Sequence, residues 1–371
     1  MRVVKNISHE FLLLNLIMNI ENTSLHELPF KNLDKIPRLG IAIENTPLQY
    51  LERLSKRLEG PRIYIKRDDL TDLALGGSKA RILQYVMADV LSHKANLVIA
   101  SAYVQSNFCR QTAAAACKTG IKAVLVLKGK PGKTAHGNLL LDVLLGAELH
   151  FIDTDDNDIV YSYIQELIES KKKKGFAPYF IDALGEASHF SSYAYLRCFK
   201  EIINQSQALN FHPKAIIFAS ASGGTQSGIE IGASFTEPNI KIIGVNPLSW
   251  SSEWIRSNTI RFIHRASKKL DLPIKKLTAE EIQVLSGYEG VANGIPTTQS
   301  LEAQTLFAQD EAIILDPTYT SKAAAAMIDM IRKGGFRRNE SIVFIHTGGV
   351  PALFERSFPY KKNQVFTISI E

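Results

Sequence analysis

The sequence predicts an α/β protein made of two doubly wound α/β domains, and three observations carry that prediction. Short runs rich in Val and Ile, such as Leu97–Ser101 and Ala215–Ala219, alternate with longer helix-like segments. Buried parallel strands joined by right-handed helical crossovers read this way, because both faces of each strand are covered. The alternation runs through two successive series, and 371 residues is a length for two such units. Glycine-rich turns punctuate the pattern at residues 75–81, 220–228 and 346–349, which points to a cleft between the units.

Thr46-Pro47-Leu48 is expected to open a helix reaching about Arg57, since proline suits a first helical turn. A strand over 62–67 and the acidic pair Asp68-Asp69 lead to the turn Leu75-Gly76-Gly77-Ser78-Lys79-Ala80-Arg81 and a helix over 82–91. The first series continues as strand 97–101, helix 106–118, strand 121–127, helix 137–145, strand 147–152 and helix 158–173. The second begins with strand 179–181, helix 191–208, strand 215–219, helix 225–235 and strand 240–245. A helix-rich section to about 285, helices 300–309 and 321–334, and strand 341–345 complete it. The basic run Lys171–Lys174 ahead of Gly175 reads as a solvated helix C-terminus, with cations against the dipole and glycine as the cap.

Composition narrows the class. Apolar content of 45% and charged content of 22% are those of an ordinary globular enzyme. The net charge of +6 is mild and the basic residues are spread, so no nucleic-acid partner is expected. No stretch reaches the length of a transmembrane helix, so no membrane partner is expected. Arg2 and Lys5 precede the apolar run Phe11–Met18, but Asn15 interrupts it and no small-residue cleavage site follows; residues 1–30 read as an N-terminal extension. Cys109, Cys117 and Cys198 make neither a disulfide framework nor a zinc spacing, which fits a reducing, cytoplasmic setting. Cys109 and Cys117 sit in an alanine-rich helix and are expected in the core. The histidines show no metal-ligand pattern.

Four stretches carry candidate chemistry. Lys79, behind two glycines at the mouth of a helix, is placed to be an amine nucleophile: glycines let the backbone approach a flat cofactor, and the helix start disfavours an ammonium. Taken alone, the turn reads rather as an ordinary one with a solvated lysine; the rest of the chain shifts the reading. Ser220–Gly228, between strand and helix, can turn successive amides inward as a phosphate cradle, or be a bare glycine turn. Gln105, Ser106 and Asn107 offer two amides and a hydroxyl at a helix start; simple capping by Ser106 accounts for one of the three. Tyr288 and Tyr319 stand on loops, as acid/base groups, stacking walls or packing residues, and His346 reads as structural.

Taken together, the Gly-Gly-Ser-Lys turn, the Gln-Ser-Asn helix start, the Ser-Gly-Gly-Thr turn at 222–225 and the His-Thr-Gly-Gly turn at 346–349 resemble one family. It comprises the pyridoxal-phosphate enzymes D-cysteine desulfhydrase and 1-aminocyclopropane-1-carboxylate (ACC) deaminase, of the tryptophan-synthase-β-like fold type II. The resemblance runs from about Ile36 to Phe354 and includes Thr46-Pro47-Leu48, Ile65–Leu70, Asp316-Pro317 and Gly349–Leu353. It implies pyridoxal 5'-phosphate in the interdomain cleft, a larger cofactor-binding domain of residues 1–80 and 190–371, and a smaller domain of 81–189. It implies a homodimer and a small amino-acid substrate.

By the same resemblance Lys79 is the Schiff-base lysine and the base at Cα. Asn107 meets the cofactor's ring hydroxyl, and Gln105, Ser106 and Asn107 meet the substrate. Ser222, Gly223, Gly224 and Thr225 hold the phosphate, Tyr288 and Tyr319 are active-site tyrosines, and Thr320 and Thr347 lie toward the pyridine nitrogen. Ser78 stands where the family usually has Asn, Ile82 where it has a lysine near the phosphate, and Phe108 where it has a more polar residue.

The deaminase branch carries glutamate and leucine where Thr320 and Thr347 stand, so the resemblance favours the desulfhydrase branch. A hydroxyl in place of a carboxylate near the ring nitrogen gives a shallower electron sink, enough for a good leaving group. The expected reaction is α,β-elimination of D-cysteine to pyruvate, ammonia and hydrogen sulfide. The alternative within the family is ACC deamination to 2-oxobutanoate and ammonia. Outside it stand a nucleotide-binding enzyme with Asp68 or Asp69 on Mg²⁺, and an inactive binding homologue.

Overall fold

The computed structural model describes residues 26–273 and 277–355. The apolar run Phe11–Met18 lies outside them. Residues 26–33 are helical (α1), and the strands among the other described residues form two sheets. The larger has the order β1 (Leu48–Tyr50), β2 (Arg62–Lys66), β10 (Ser341–Ile345), β7 (Pro213–Ala219), β8 (Lys241–Val245) and β9 (Val284–Leu285). Only β1 runs antiparallel. The smaller sheet is wholly parallel, in the order β5 (Glu148–Ile152), β4 (Lys122–Lys128), β3 (Leu97–Tyr103) and β6 (Pro178–Phe180).

Successive side chains of a strand face opposite ways, so the apolar runs of the larger sheet feed two separate cores. Ile216, Phe218, Val343 and Ile345 face one core, with Val86 of α3 (Ser78–Ser92), Phe199 of α7 (Ser188–Ala208) and Ile229 of α8 (Gly224–Thr236). Ile217, Ile342 and Phe344 face the other, with Leu54 of α2 (Glu52–Leu58), Phe307 of α10 (Thr298–Glu311) and Met327 of α11 (Thr320–Arg332). The smaller sheet repeats the scheme. Leu97, Ile99 and Val126 meet Val160 and Ile164 of α6 (Asn157–Lys173), while Leu125 and Leu127 meet Ala113 of α4 (Asn107–Thr119) and Leu139 of α5 (Gly137–Leu144). The helix-rich section after β8 holds α9 (Ser252–Lys269).

Three expectations change. Thr46-Pro47-Leu48 does not open a helix: Leu48–Tyr50 pairs as an edge strand with β2, and the Leu51 N–H extends the ladder to Ile63. Proline is tolerated there because an edge strand leaves one row of backbone groups unpaired. The helix waits until Glu52, and the Leu54 N–H in its first turn is satisfied by the Glu311 carboxylate at 2.8 Å. Lys171 is not solvated; it is buried and donates to both oxygens of Glu148. Cys109 is buried, but Cys117 is exposed: it stands in the last turn of α4, past the buried run Cys109–Ala116.

In each sheet the connections reverse direction once, between β7 and β10 and between β3 and β6. Ligands of open α/β sheets bind beyond the carboxyl ends of strands at such points. Residues just past β3, β6, β7, β8 and β10 line one common cavity of about 310 Å³.

Candidate active site

The cavity wall begins at the lysine turn. Gly76 and Gly77 have φ of 62° and 122°, which side chains rarely adopt, and a Cβ on Gly76 would run into the Asp69 carbonyl. The Gly77 N–H donates to Thr71 Oγ1 at 2.8 Å, and the Ser78 N–H donates to the Thr347 carbonyl at 2.9 Å. Lys79 therefore enters the first turn of α3 facing the cavity, where its Nζ donates to Ser78 Oγ at 3.1 Å. Burial lowers its amine from the ordinary lysine value to about 8.

A buried ionic network backs this turn. Arg81 donates to both Asp68 oxygens at 2.7 and 2.9 Å and to both Glu201 oxygens at 2.7 and 2.8 Å. Lys66 adds an ion pair to Glu201 at 2.7 Å. Burial alone would raise Asp68 and Glu201, yet Arg81 and Lys66 hold both below the usual carboxylate range. Asp69 is held by Arg67 through two hydrogen bonds. Both carboxylates are thus engaged by guanidinium groups, which speaks against a Mg²⁺ role for either.

Across the cavity lies the start of α8. Gly223 has φ of 86° and caps the helix without a side-chain bond, so the N–H groups of the first turn have no partner within the helix. Ser222, Gly223, Gly224 and Thr225 all line the cavity. Amides at a helix start, flanked by hydroxyls, suit a phosphate. Glycine is required at 223 because a Cβ there would stand 2.5 Å from Thr259 Oγ1. Ile82 lines the same cavity with its apolar side chain, so no cation comes from that position.

The smaller sheet contributes α4. Ser106 caps it, accepting from the N–H groups of Phe108 and Cys109 at 3.1 and 3.2 Å, and its own O–H remains a donor. Asn107 has its Oδ1 pinned by Asn138 Nδ2 at 3.0 Å, leaving its Nδ2 to donate elsewhere. Both line the cavity, as do Tyr319 and Thr347. Tyr319 is pushed up to about 12 by burial and by the nearby Asp316 carboxylate, so its hydroxyl keeps its proton at neutral pH.

Three residues expected at the site stand apart from the cavity wall. Gln105 turns to α5, where its Oε1 accepts from the Asn138 N–H at 2.8 Å. Tyr288 donates its hydroxyl to Asp329 of α11 at 2.6 Å. Thr320 is buried and exchanges hydrogen bonds with Asp316, accepting from its N–H and donating to its carboxylate. Of the two threonines assigned to the pyridine nitrogen, only Thr347 lines the cavity. His346 is structural, as expected: it is buried between the Gly348 N–H and the Ile314 carbonyl. Sequence reasoning missed Thr71, Arg110 and Gln111, all fully buried about the lysine turn. An arginine and a glutamine ahead of four consecutive alanines were the available signal.

Known proteins resemble this chain in sequence and in fold. A family model for pyridoxal-phosphate dependent enzymes matches residues 40–348, which include Lys79, the 222–225 turn and Thr347. The fold is similar to a crystal structure of an ACC deaminase homologue, with TM-score 0.78 and 34% identity over 88% of this chain and 96% of that one. It is also similar to the processed form of threonine deaminase isoform 2 from Solanum lycopersicum (TM-score 0.61, 20% identity, 87% and 84% covered), a likeness of fold. The residues present fit the cofactor. A cradle of amides and hydroxyls suits its phosphate, a lysine near pH 8 suits its aldehyde, and the Asn107 amide suits its ring oxygen. The chain belongs to the pyridoxal-phosphate dependent enzymes of fold type II, in the family of ACC deaminase and D-cysteine desulfhydrase, and pyridoxal 5'-phosphate is its cofactor.

Proposed function

We propose that the protein is a lyase of the D-cysteine desulfhydrase type, which eliminates a thiolate from the β-carbon of a small amino acid. The observation that carries this reading is the Thr347 hydroxyl on the cavity wall: among the described residues no acid near it lines the cavity, since Asp316, close to the same turn, accepts instead from the N–H groups of Thr318, Tyr319 and Thr320. Among the described residues the acid on the cavity wall is Asp182, which follows β6 of the smaller sheet and accepts from Tyr161 and the Gly185 N–H. When bound, the cofactor supplies an electron sink for charge at Cα, and a hydroxyl near its ring nitrogen makes that sink shallow. A shallow sink suits a leaving group that carries its own charge well, as a thiolate does.

The chain's own groups do the rest. Ser106 O–H and the start of α4 receive the substrate carboxylate, with the helix dipole favouring the anion. Lys79, with its amine near pH 8, has a neutral fraction to take the proton from Cα. Tyr319 holds a proton on its hydroxyl and can deliver it to the departing sulfur. The Cα–H and Cβ–S bonds break, hydrogen sulfide leaves, and the released aminoacrylate takes up water to give pyruvate and ammonia.

The likeness to an ACC deaminase homologue favours a second reading, ring opening of ACC to 2-oxobutanoate and ammonia. The test is to incubate the purified holoenzyme with each substrate and assay sulfide with pyruvate against 2-oxobutanoate. Sulfide from D-cysteine supports elimination. Ring opening without sulfide release overturns it.

A further inference from the structure

Arg110 of α4 and Asp142 of α5 are fully enclosed charges that the reaction above does not use. Buried opposite charges ordinarily meet in direct hydrogen bonds, because these offset the loss of water. Here both Asp142 oxygens, and Nε and Nη1 of Arg110, which borders the cavity, have no hydrogen-bond partner within the protein. Burial pushes Asp142 up to about 7 and Arg110 down to about 10, while each charge counteracts the shift of the other. The two charges interact without a direct hydrogen bond, so the guanidinium makes its contacts elsewhere.

One such contact is visible on the other side of the guanidinium. Arg110 Nη2 donates to the Gly76 carbonyl at 2.9 Å, and Gln111 Nε2 donates to the same carbonyl. Gly76 stands three residues before Lys79. The helix that supplies both donors begins with Ser106 and Asn107 and packs on the smaller sheet, whereas the turn it grips follows β2 of the larger one. One rigid element thus carries the groups for the substrate carboxylate at its mouth and, a turn further on, the grip on the lysine turn.

We propose that Arg110, assisted by Gln111, is a positioning residue that ties α4 to the Gly76 carbonyl and so fixes Lys79 relative to Ser106 and Asn107. The inference rests on the reading of Lys79 as the reacting amine. An arginine serving packing alone would close on Asp142, and the turn would be held by Gln111 unaided.

The test is amide hydrogen exchange on the holoenzyme, read by peptide, alongside kcat and KM for D-cysteine. In Arg110→Gln, exchange at residues 75–79 is expected to speed at least tenfold, with β3 and the end of α4 as protected as in the parent protein. Its kcat should fall at least tenfold while KM changes less than threefold, and Arg110→Lys should recover part of both. Parent-like exchange at 75–79 in Arg110→Gln would overturn the proposal, as would equal loosening of β3 and α4, which marks a merely structural role. If the parent protein released no sulfide, the elimination reading would fail while the exchange data still decided this one.

Discussion

Lys79 shows how much one residue's chemistry depends on what surrounds it. Its amine titrates near 8 because burial penalises the ammonium, an effect no spacing rule measures. In protein freed of cofactor, acylation of Lys79 followed by peptide mapping should rise with a midpoint near pH 8, against about 10.4 for surface lysines. A midpoint at the surface value would contradict the burial argument. Between those two values the unfolded chain holds a proton that the native amine lacks, so this residue makes stability rise with pH there. Two glycines and a helix start made the lysine a candidate, and only the other motifs of the chain raised it above a solvated one. Tyr288 and Thr320 were not resolved by the same reasoning: their partners, Asp329 and Asp316, decide whether a hydroxyl is free, and for Tyr288 that partner lies 41 residues away.

Among the elements, the turn and helix α3 stand on the network of Lys66, Asp68, Arg81 and Glu201. Removing one member leaves the others as buried charges without compensation. Asp68→Asn is expected to cost about 3–5 kcal/mol, measured as a lower urea midpoint. The network holds Asp68 below its unfolded value, so the stability it gives is present above about pH 4 and is lost as acid protonates it. Asp68→Asn should flatten that acid limb. At the start of α8, Gly223→Ala would face both a positive φ and the Thr259 hydroxyl, costing roughly 1–3 kcal/mol. Cofactor titration should show it binding more weakly, since the amides of the cradle would shift. Alternation of apolar runs marked these helices and strands in the sequence. Pro47 misled because the rule for a first helical turn and the rule for an edge strand both accept proline, and only the partner strand distinguishes them.

At the scale of the whole molecule, the cavity is walled by residues from both sheets, and a ligand held there binds the native state alone. Stripping the cofactor should therefore lower the thermal midpoint, and restoring it at about a hundred times its Kd should return about 2.7 kcal/mol. A midpoint indifferent to the cofactor would mean that the two walls are not joined through it. Two parallel sheets were legible because covered strands read as unbroken apolar runs. Their strand order was not, since nothing local in Ser341–Ile345 says which strands will flank it.

That order has a consequence for biosynthesis. The strand that sits between β2 and β7 follows both of them in the chain, so until it is made the nascent polypeptide carries two pieces of the larger sheet with raw borders. Unpaired borders of this kind recruit other chains. A polypeptide ending before Ser341 should thus be sticky and chaperone-dependent, because the strand that joins the two pieces is missing.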